Sequence, residues 1–325
     1  MDPVTHGLAG VVIARAGFSK SLEKWGTVTG VLTALSPDSD FILRLFGEDV
    51  FLRYHRGITH SLLLLPFYSL ILAFIFQRVF REKEGYAFFY LLCFMSLLSH
   101  IILDLMTSFG TMAFSPWTDK RISWDIVFII DPWFTGAMLI PLLIACFFKR
   151  YKRELALVSI GLVIGYTGLC IFNHHSAVNA AERSIKEKGT YATPYTIAAI
   201  PQPLSPFEWQ VLIDTGDSLY QSFINVNNTS EEHRMENVVW EKWPESPFIE
   251  KAIKLSGVEF YFWFARFPVA MERILANGNH LVEFIDLRFD VRMGRVPFTY
   301  IVEFNNEGVV LLEKFTTINL NNAML

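Results

Sequence analysis

The chain is short of cysteine and of charge. Only three cysteines occur in 325 residues. Cys93, Cys146 and Cys170 all fall inside apolar runs, which excludes a disulfide framework and a cysteine-rich zinc site. Charged residues make up 18% of the chain and the net charge is -4. No basic surface for nucleic acid is expected from that balance. The first residues, MDPVTHGL, have no basic region of the secretory kind, and no small-residue cleavage site follows an apolar core, so no secretory signal is expected. A His-Glu-x-x-His motif is missing, which argues against an intramembrane metalloprotease. There is no internal repeat and no low-complexity segment.

Apolar residues are abundant: 52% of the chain is hydrophobic and 15% aromatic, with a mean hydropathy of +0.34. This is the composition of a membrane protein. Four clear spans are expected, over Leu62–Val79, Tyr86–Leu105, Ile126–Phe148 and Leu155–Phe172. Two shorter helices, 3–18 and 25–36, precede them. Each falls below the ~20 residues of a straight span, and together they read as a tilted or partly buried hairpin. Asp2-Pro3 reads as the cap and first turn of the first helix.

Beyond residue 175 the pattern changes. Residues 176–206 read as a helical extension and a proline-containing linker, with Pro194, Pro201, Pro203 and Pro206. Residues 207–325 read as a β-rich, water-facing α+β domain. Strands are expected at Val258–Arg266, Asp286–Arg292, Phe298–Phe304 and Val309–Phe315, with a hairpin turn at Asn305-Asn306-Glu307-Gly308 and a helix over Ser246–Ser256.

Chemistry concentrates in Tyr54-His55-Arg56-Gly57-Ile58-Thr59-His60-Ser61, just before a run of leucines. His6, Asp38 with Asp40, His100 with Asp104, Asp125 with Asp131, and His174 with His175 also sit at or near ends of apolar segments. Basic residues mark the cytoplasmic side. The turns holding Arg15, Lys20, Lys24, Arg78, Arg81, Lys83, Lys149, Arg150, Lys152 and Arg153 carry ten Lys or Arg; the intervening loops carry five. All the polar motifs then fall at the outer face, with the β-rich domain. His100 and Asp104 share a helix face at i, i+4. Asp38 and Asp40, taken as an extended loop, would project on one side.

These residues suit a metal: His6, Asp38, Asp40, His60, His100 and Asp104 form the expected ligand set. Zinc fits first, manganese or iron next, as one or two ions. Asp40 and Asp104 are candidates for proton transfer, and Arg56 with His55 for holding an anionic substrate. Blander readings stand beside these. His100 can cap its helix, and the Asp pair can cap a turn. Thr59 and Ser61 read as helix-start residues. His174 and His175 read as interfacial polar residues, and His233 and His280 as surface or core histidines. Asp131 needs a reason for lying in an apolar run, while Asp125 is easily solvated.

The order Thr5-His6-Gly7, Pro37-Asp38-x-Asp40, His55-Arg56-Gly57-x-Thr59-His60-Ser61 and His100-x-x-x-Asp104 resembles the LexA-regulated, membrane-bound, metal-dependent hydrolases of bacterial and archaeal inner membranes. The likeness covers about the first 175 residues, and the chain is similar to the longer members that carry an added tail. The resemblance implies a helical, multi-pass membrane domain with a His/Asp metal centre and hydrolase activity. A more distant likeness to zinc-dependent phospholipases C favours a phosphoester or lipid-linked substrate at the outer face of the bilayer. Two rival readings remain: a metal-ion transporter or sensor, and a non-catalytic anchor for the β-rich domain.

Overall fold

The computed structural model describes residues 1–18, 23–80, 85–188, 195–228, 238–291 and 295–319. Lys20, Arg81, Lys83, Pro194, His233 and Arg292 lie outside them, as does the side chain of Lys24. Two compact units divide the chain, Met1–Phe172 and Asn173–Leu325.

The first unit is helical. Helix α1 (Pro3–Gly17) starts as the sequence predicts, with Asp2 accepting from the amides of Val4 and Thr5. Helix α2 (Glu23–Leu35) crosses it very closely. A Cβ added to Gly10 would lie 2.4 Å from the Gly30 carbonyl oxygen, so only glycine permits this approach. A 3₁₀ segment (Pro37–Phe46), helix α3 (Glu48–Tyr54) and a 3₁₀ turn (Ile58–His60) follow. Then come α4 (Leu65–Phe80), α5 (Tyr86–Leu105), α6 (Pro132–Phe147) and α7 (Lys152–Lys188). Helix α5 packs against α1, α2 and α4. Phe89, Leu92, Cys93, Leu97 and Ile101 are buried along it.

Among the described residues, two helices are long and apolar enough to cross a membrane, Tyr86–Leu105 and the stretch Lys149–Lys186. A third candidate is the pair Glu48–His60 and Leu65–Phe80, bent by 78°. The four expected spans thus become two or three candidates. The run 126–148 falls short because Asp131 and Pro132 start the helix late. Asp131 caps it by accepting from the amides of Trp133 and Phe134. The resulting 16 residues extend about 24 Å, against a hydrocarbon core of about 30 Å.

The second unit holds two antiparallel four-stranded sheets, ordered β1-β2-β3-β4 and β5-β6-β7-β8. Their strands are β1 (Thr196–Pro201), β2 (Glu208–Asp214), β3 (Ser218–Asn225), β4 (Val238–Glu241), β5 (Pro268–Ile274), β6 (His280–Asp286), β7 (Arg295–Phe304) and β8 (Val310–Asn319). Strand β2 is buried on both faces. Trp209, Val211 and Ile213 pack with Ala177, Ala181 and Ile185 from the end of α7. Leu212, on the opposite face, packs with Val269, Ile285 and Val296 of the second sheet. The far side of that sheet packs on two short helices, α8 (Pro247–Ala252) and α9 (Ser256–Phe264).

Three sequence expectations are corrected in this unit. The proline-containing linker carries β1, which pairs with β2 from Thr196 to Pro201. The expected strand 258–266 is helix α9, because Val258, Tyr261 and Phe264 recur at helical spacing and all are buried; burial outweighs the strand preference of its aromatics. The expected strand 286–292 stops at Asp286. Its carboxylate accepts from the amides of Arg266, Phe267 and Arg288, and Leu287–Phe289 turns away as 3₁₀. The β7–β8 hairpin does form at Asn305–Gly308. The Asn305 side chain accepts from Glu307 and Val309, and Gly308 takes φ +79°.

Candidate metal centre

Two groups of side chains among the described residues could hold a metal ion: Asp38, His60, His100 and Asp104; and Asp38, Asp40 and His55. The first group joins three elements. Asp38 comes from the 3₁₀ segment, His60 from the 3₁₀ turn, and His100 with Asp104 from the end of α5. His60, His100 and Asp104 are completely buried. The Asp38 side chain keeps 11% exposure.

His60 Nε2 and His100 Nε2 face each other at 3.0 Å. The protons of both rings can be placed from their other nitrogens. His100 Nδ1 is 2.6 Å from the carbonyl of Ala34, which can only accept. His60 Nδ1 is 2.9 Å from the Thr59 hydroxyl. That hydroxyl donates to Asp40 Oδ2 at 2.8 Å, so towards His60 it accepts. Neutral imidazoles here carry their protons on Nδ1 and aim two lone pairs at each other. Asp104 Oδ2 lies beside them, 3.1 Å from His60 Nε2 and 3.4 Å from His100 Nε2, yet no hydrogen bond reaches it. Asp38 Oδ1 stands 3.6 Å from the first nitrogen and 3.7 Å from the second. Converging lone pairs and carboxylate oxygens, buried without a proton between them, repel one another unless a cation is shared. The donor set is therefore one that could hold a metal ion.

His6 adjoins this group. Its ring stacks on His100 with centroids 3.7 Å apart, and its Nε2 is 3.3 Å from Asp104 Oδ1. Both its nitrogens are buried without a hydrogen-bond partner.

Asp38 and Asp40 each bring an oxygen within 4.8 Å of the other, but they engage different partners. The stretch is 3₁₀, not extended, and residues two apart in a 3₁₀ segment point in different directions. Asp40 turns to the support layer. It faces His55 Nδ1 at 2.7 Å and accepts from Thr59 and from the Arg56 amide. Burial alone would raise the Asp40 carboxyl, but the hydrogen bond with His55 outweighs it and holds it below the ordinary value. Burial also opposes the charge on Asp38, and the neighbouring His60 and His100 more than offset it, down to about 2. With its acceptors engaged, Asp40 is poorly placed to take a proton.

Arg56 also departs from its expected role. It is buried, with Nη2 2.7 Å from Asp104 Oδ1 and Nη1 3.0 Å from Thr107 Oγ1. The amino group of Met1 donates to the same Asp104 oxygen. The left-handed backbone of Arg56, φ +57°, lets its amide serve Asp40 while its guanidinium serves Asp104. His55 is buried too, stacked on Phe51. Both residues face carboxylates, which suits positioning and not substrate contact. The loop after α5 fixes this stretch: Met112 donates to the Arg56 carbonyl, and Arg121 donates to the carbonyls of Leu52 and His55.

The remaining candidates lie elsewhere. Asp131 caps α6 and accepts from Tyr166 at 2.7 Å, which explains its place in an apolar run. Asp125 is buried with φ +55° and belongs to neither group. His174 contacts Trp209 in the second unit. His280 pairs with Glu272 and stacks on Phe248. Thr59 is more than a helix-start residue, since its hydroxyl joins Asp40 to His60; Ser61 plays the helix-start part, accepting from Leu63 and Leu64. The signal for Thr59 was its place immediately before a candidate ligand. Thr59→Val keeps the shape and removes the hydroxyl joining Asp40 to His60. Metal affinity is expected to fall about 10–100-fold with folding intact, as read by chelator competition; unchanged affinity would leave Thr59 no orienting role.

One relative is named as an inner membrane protein. The chain is 33% identical over 131 residues to the inner membrane protein YbcI of Escherichia coli K12, covering 38% of this chain and 73% of that protein. It is 21% identical over 319 residues to the uncharacterized protein YfhP of Bacillus subtilis 168, covering 94% of this chain and 92% of that protein. No solved structure matches. The family described as YdjM inner membrane protein matches residues 1–177, which contain every residue of the centre. The chain therefore belongs to the YdjM inner membrane protein family.

Proposed function

We propose that the chain is a membrane-bound, metal-dependent hydrolase of a phosphoester, carried by a lipid or lipid-linked molecule. One observation carries this reading: the facing lone pairs of His60 and His100, 3.0 Å apart, beside the oxygens of Asp104 and Asp38. In this reading His60, His100, Asp104 and Asp38 hold one divalent ion, with His6 as the adjoining donor. Asp40 and His55 are engaged with each other, so the second group supports the first and does not take an ion of its own. A divalent ion held there supplies Lewis-acid activation of water and of a phosphoryl oxygen.

The chain's own residues do the rest. Arg56 and Thr107 hold Asp104 from behind. Ala34 and Thr59 keep the two Nε2 atoms unprotonated. Asp38 is the least buried of the four, and its Oδ2, itself buried, has no hydrogen-bond partner; that oxygen is left to accept a hydrogen bond from a water admitted to the site and to orient it. The excess of basic residues on the opposite turns supports an outer-face site with the second unit on the same side.

Elemental analysis of detergent-purified protein tests the reading. About one zinc or manganese per chain is expected, falling below a tenth of that in His100→Ala, whose folding is checked by circular dichroism. Chelation should abolish turnover of nitrophenyl phosphoesters, and reloading should restore it. A wild-type protein that stays metal-free after reloading would sink the reading.

A further inference from the structure

A cavity of about 200 Å³ opens beside the metal centre. One end is formed by Ser36, Pro37 and Thr59, and the other by Tyr68, Ile71 and Leu72 of α4 with Leu97 of α5. The polar end is formed by residues next to the centre's ligands. Pro37 precedes Asp38, and Thr59 is the hydroxyl joining Asp40 to His60. Leu97 lies one helical turn before His100, so the cavity runs along α5 away from the ligands.

The apolar end has a different neighbour. Ile71 is exposed, as are Phe67, Leu70, Phe74 and Ile75 on the same helix. An α-helix with so apolar an exposed face, in a membrane protein, meets hydrocarbon. The cavity thus lies between residues that adjoin the metal ligands in sequence and a helix face that meets the bilayer. We propose that it is the subsite for a hydrocarbon chain of the substrate, which enters sideways from the membrane between α4 and α5 while its phosphoester reaches Asp38 and Thr59. The substrate class is then a phospholipid-like amphiphile and not a water-soluble phosphoester. The inference rests on the hydrolase reading for the identity of the head group; the chain subsite stands on the cavity itself.

Chain length decides the matter. Each methylene transferred from water into an apolar site is worth about fourfold in binding, so a chain that fills the cavity outcompetes a short one by at least about tenfold.

The experiment uses full-length protein in phosphatidylcholine vesicles containing phosphatidic acid with a diazirine in its acyl chain. Photolysis should place adducts on Tyr68–Leu72 and Leu97. Dioleoyl phosphatidic acid should compete at least tenfold better than the dihexanoyl form. Ile71→Trp, at the exposed mouth, should cut the adducts at least fivefold with metal content unchanged; Phe74→Trp, outside the cavity, should not. Adducts spread evenly over the exposed face of α4, indifferent to Ile71→Trp, would overturn the proposal. A metal-loaded enzyme that hydrolyses dihexanoyl and dioleoyl forms equally, without cavity adducts, overturns it and leaves the hydrolase reading standing. Cavity adducts on a protein that binds no metal support the subsite and bring down the hydrolase reading instead.

Discussion

Asp104→Asn is expected to strip the protein of its metal and to lower hydrolysis by about a thousandfold or more, as the loss of several kcal/mol of charge stabilisation implies. The carboxylate serves two partners at once. Its Oδ2 faces both imidazoles, and its Oδ1 is 2.7 Å from the Arg56 guanidinium. An asparagine has the same shape but one acceptor oxygen. If that oxygen stays with Arg56, the amide presents hydrogens to the two Nε2 lone pairs and satisfies them without a cation. If it turns the other way, the amide meets the guanidinium, donor against donor. In either case Arg56, buried with 2% exposure, loses its countercharge. Breaking a buried pair by removing one partner costs about 3–5 kcal/mol. Unfolding in detergent should therefore show reduced stability alongside the lost metal. The double variant Arg56→Met with Asp104→Asn separates the two effects: stability should recover in part, since the Met1 amino group still lacks its carboxylate, while metal stays absent. Metal retained at wild-type level in Asp104→Asn would confine this residue to an ion pair.

Gly10→Ala should be nearly as damaging, although its side chain touches nothing in the centre. The new Cβ would meet the Gly30 carbonyl oxygen at 2.4 Å and the Val31 amide nitrogen at 2.9 Å. These are main-chain atoms, and no rotamer change relieves them. Helices α1 and α2 must move apart, at the ~3 kcal/mol or more of an overpacked core. His6 lies one turn from Gly10 on α1, and Ala34, whose carbonyl holds His100, lies one turn from Gly30 on α2. Separation shifts both, so metal affinity should fall about 10–100-fold through lost orientation of the ligands. Gly17→Ala is the control, because its Cβ would meet nothing within 4 Å. It should stabilise slightly or do nothing. Melting temperature and metal titration on the three proteins decide the point; Gly10→Ala with wild-type values in both would dismiss the close crossing as a constraint.

The centre was largely legible because polar residues in apolar surroundings stand out. His100 and Asp104 interrupt the run from Tyr86 to Leu105, and that run is helix α5 residue for residue. His60 and Asp38 were recognisable from their places ahead of and behind apolar segments. What could not be read was which way each side chain turns. The different partners of Asp38 and Asp40 depend on a 3₁₀ backbone that hydrophobic period does not reveal. The turning of Arg56 onto Asp104 depends on one left-handed residue and on Thr107, three positions past a ligand. Helix α9 was misread because its aromatic run suits a strand as well as a helix, and only its packing under the second sheet decides. The shortfall of α6 as a span came from reading Asp131 as an interruption where it is a beginning.

The hydrogen bond from His100 to Ala34 ends on a main-chain oxygen. Every amino acid offers that atom. Glycine or serine at position 34 would leave the contact in place, and the imidazole would keep its tautomer. A screen of side-chain replacements will therefore score His100 as essential and pass over the residue that holds it. Position 34 thus constrains the path of the backbone and leaves the identity of a small side chain open.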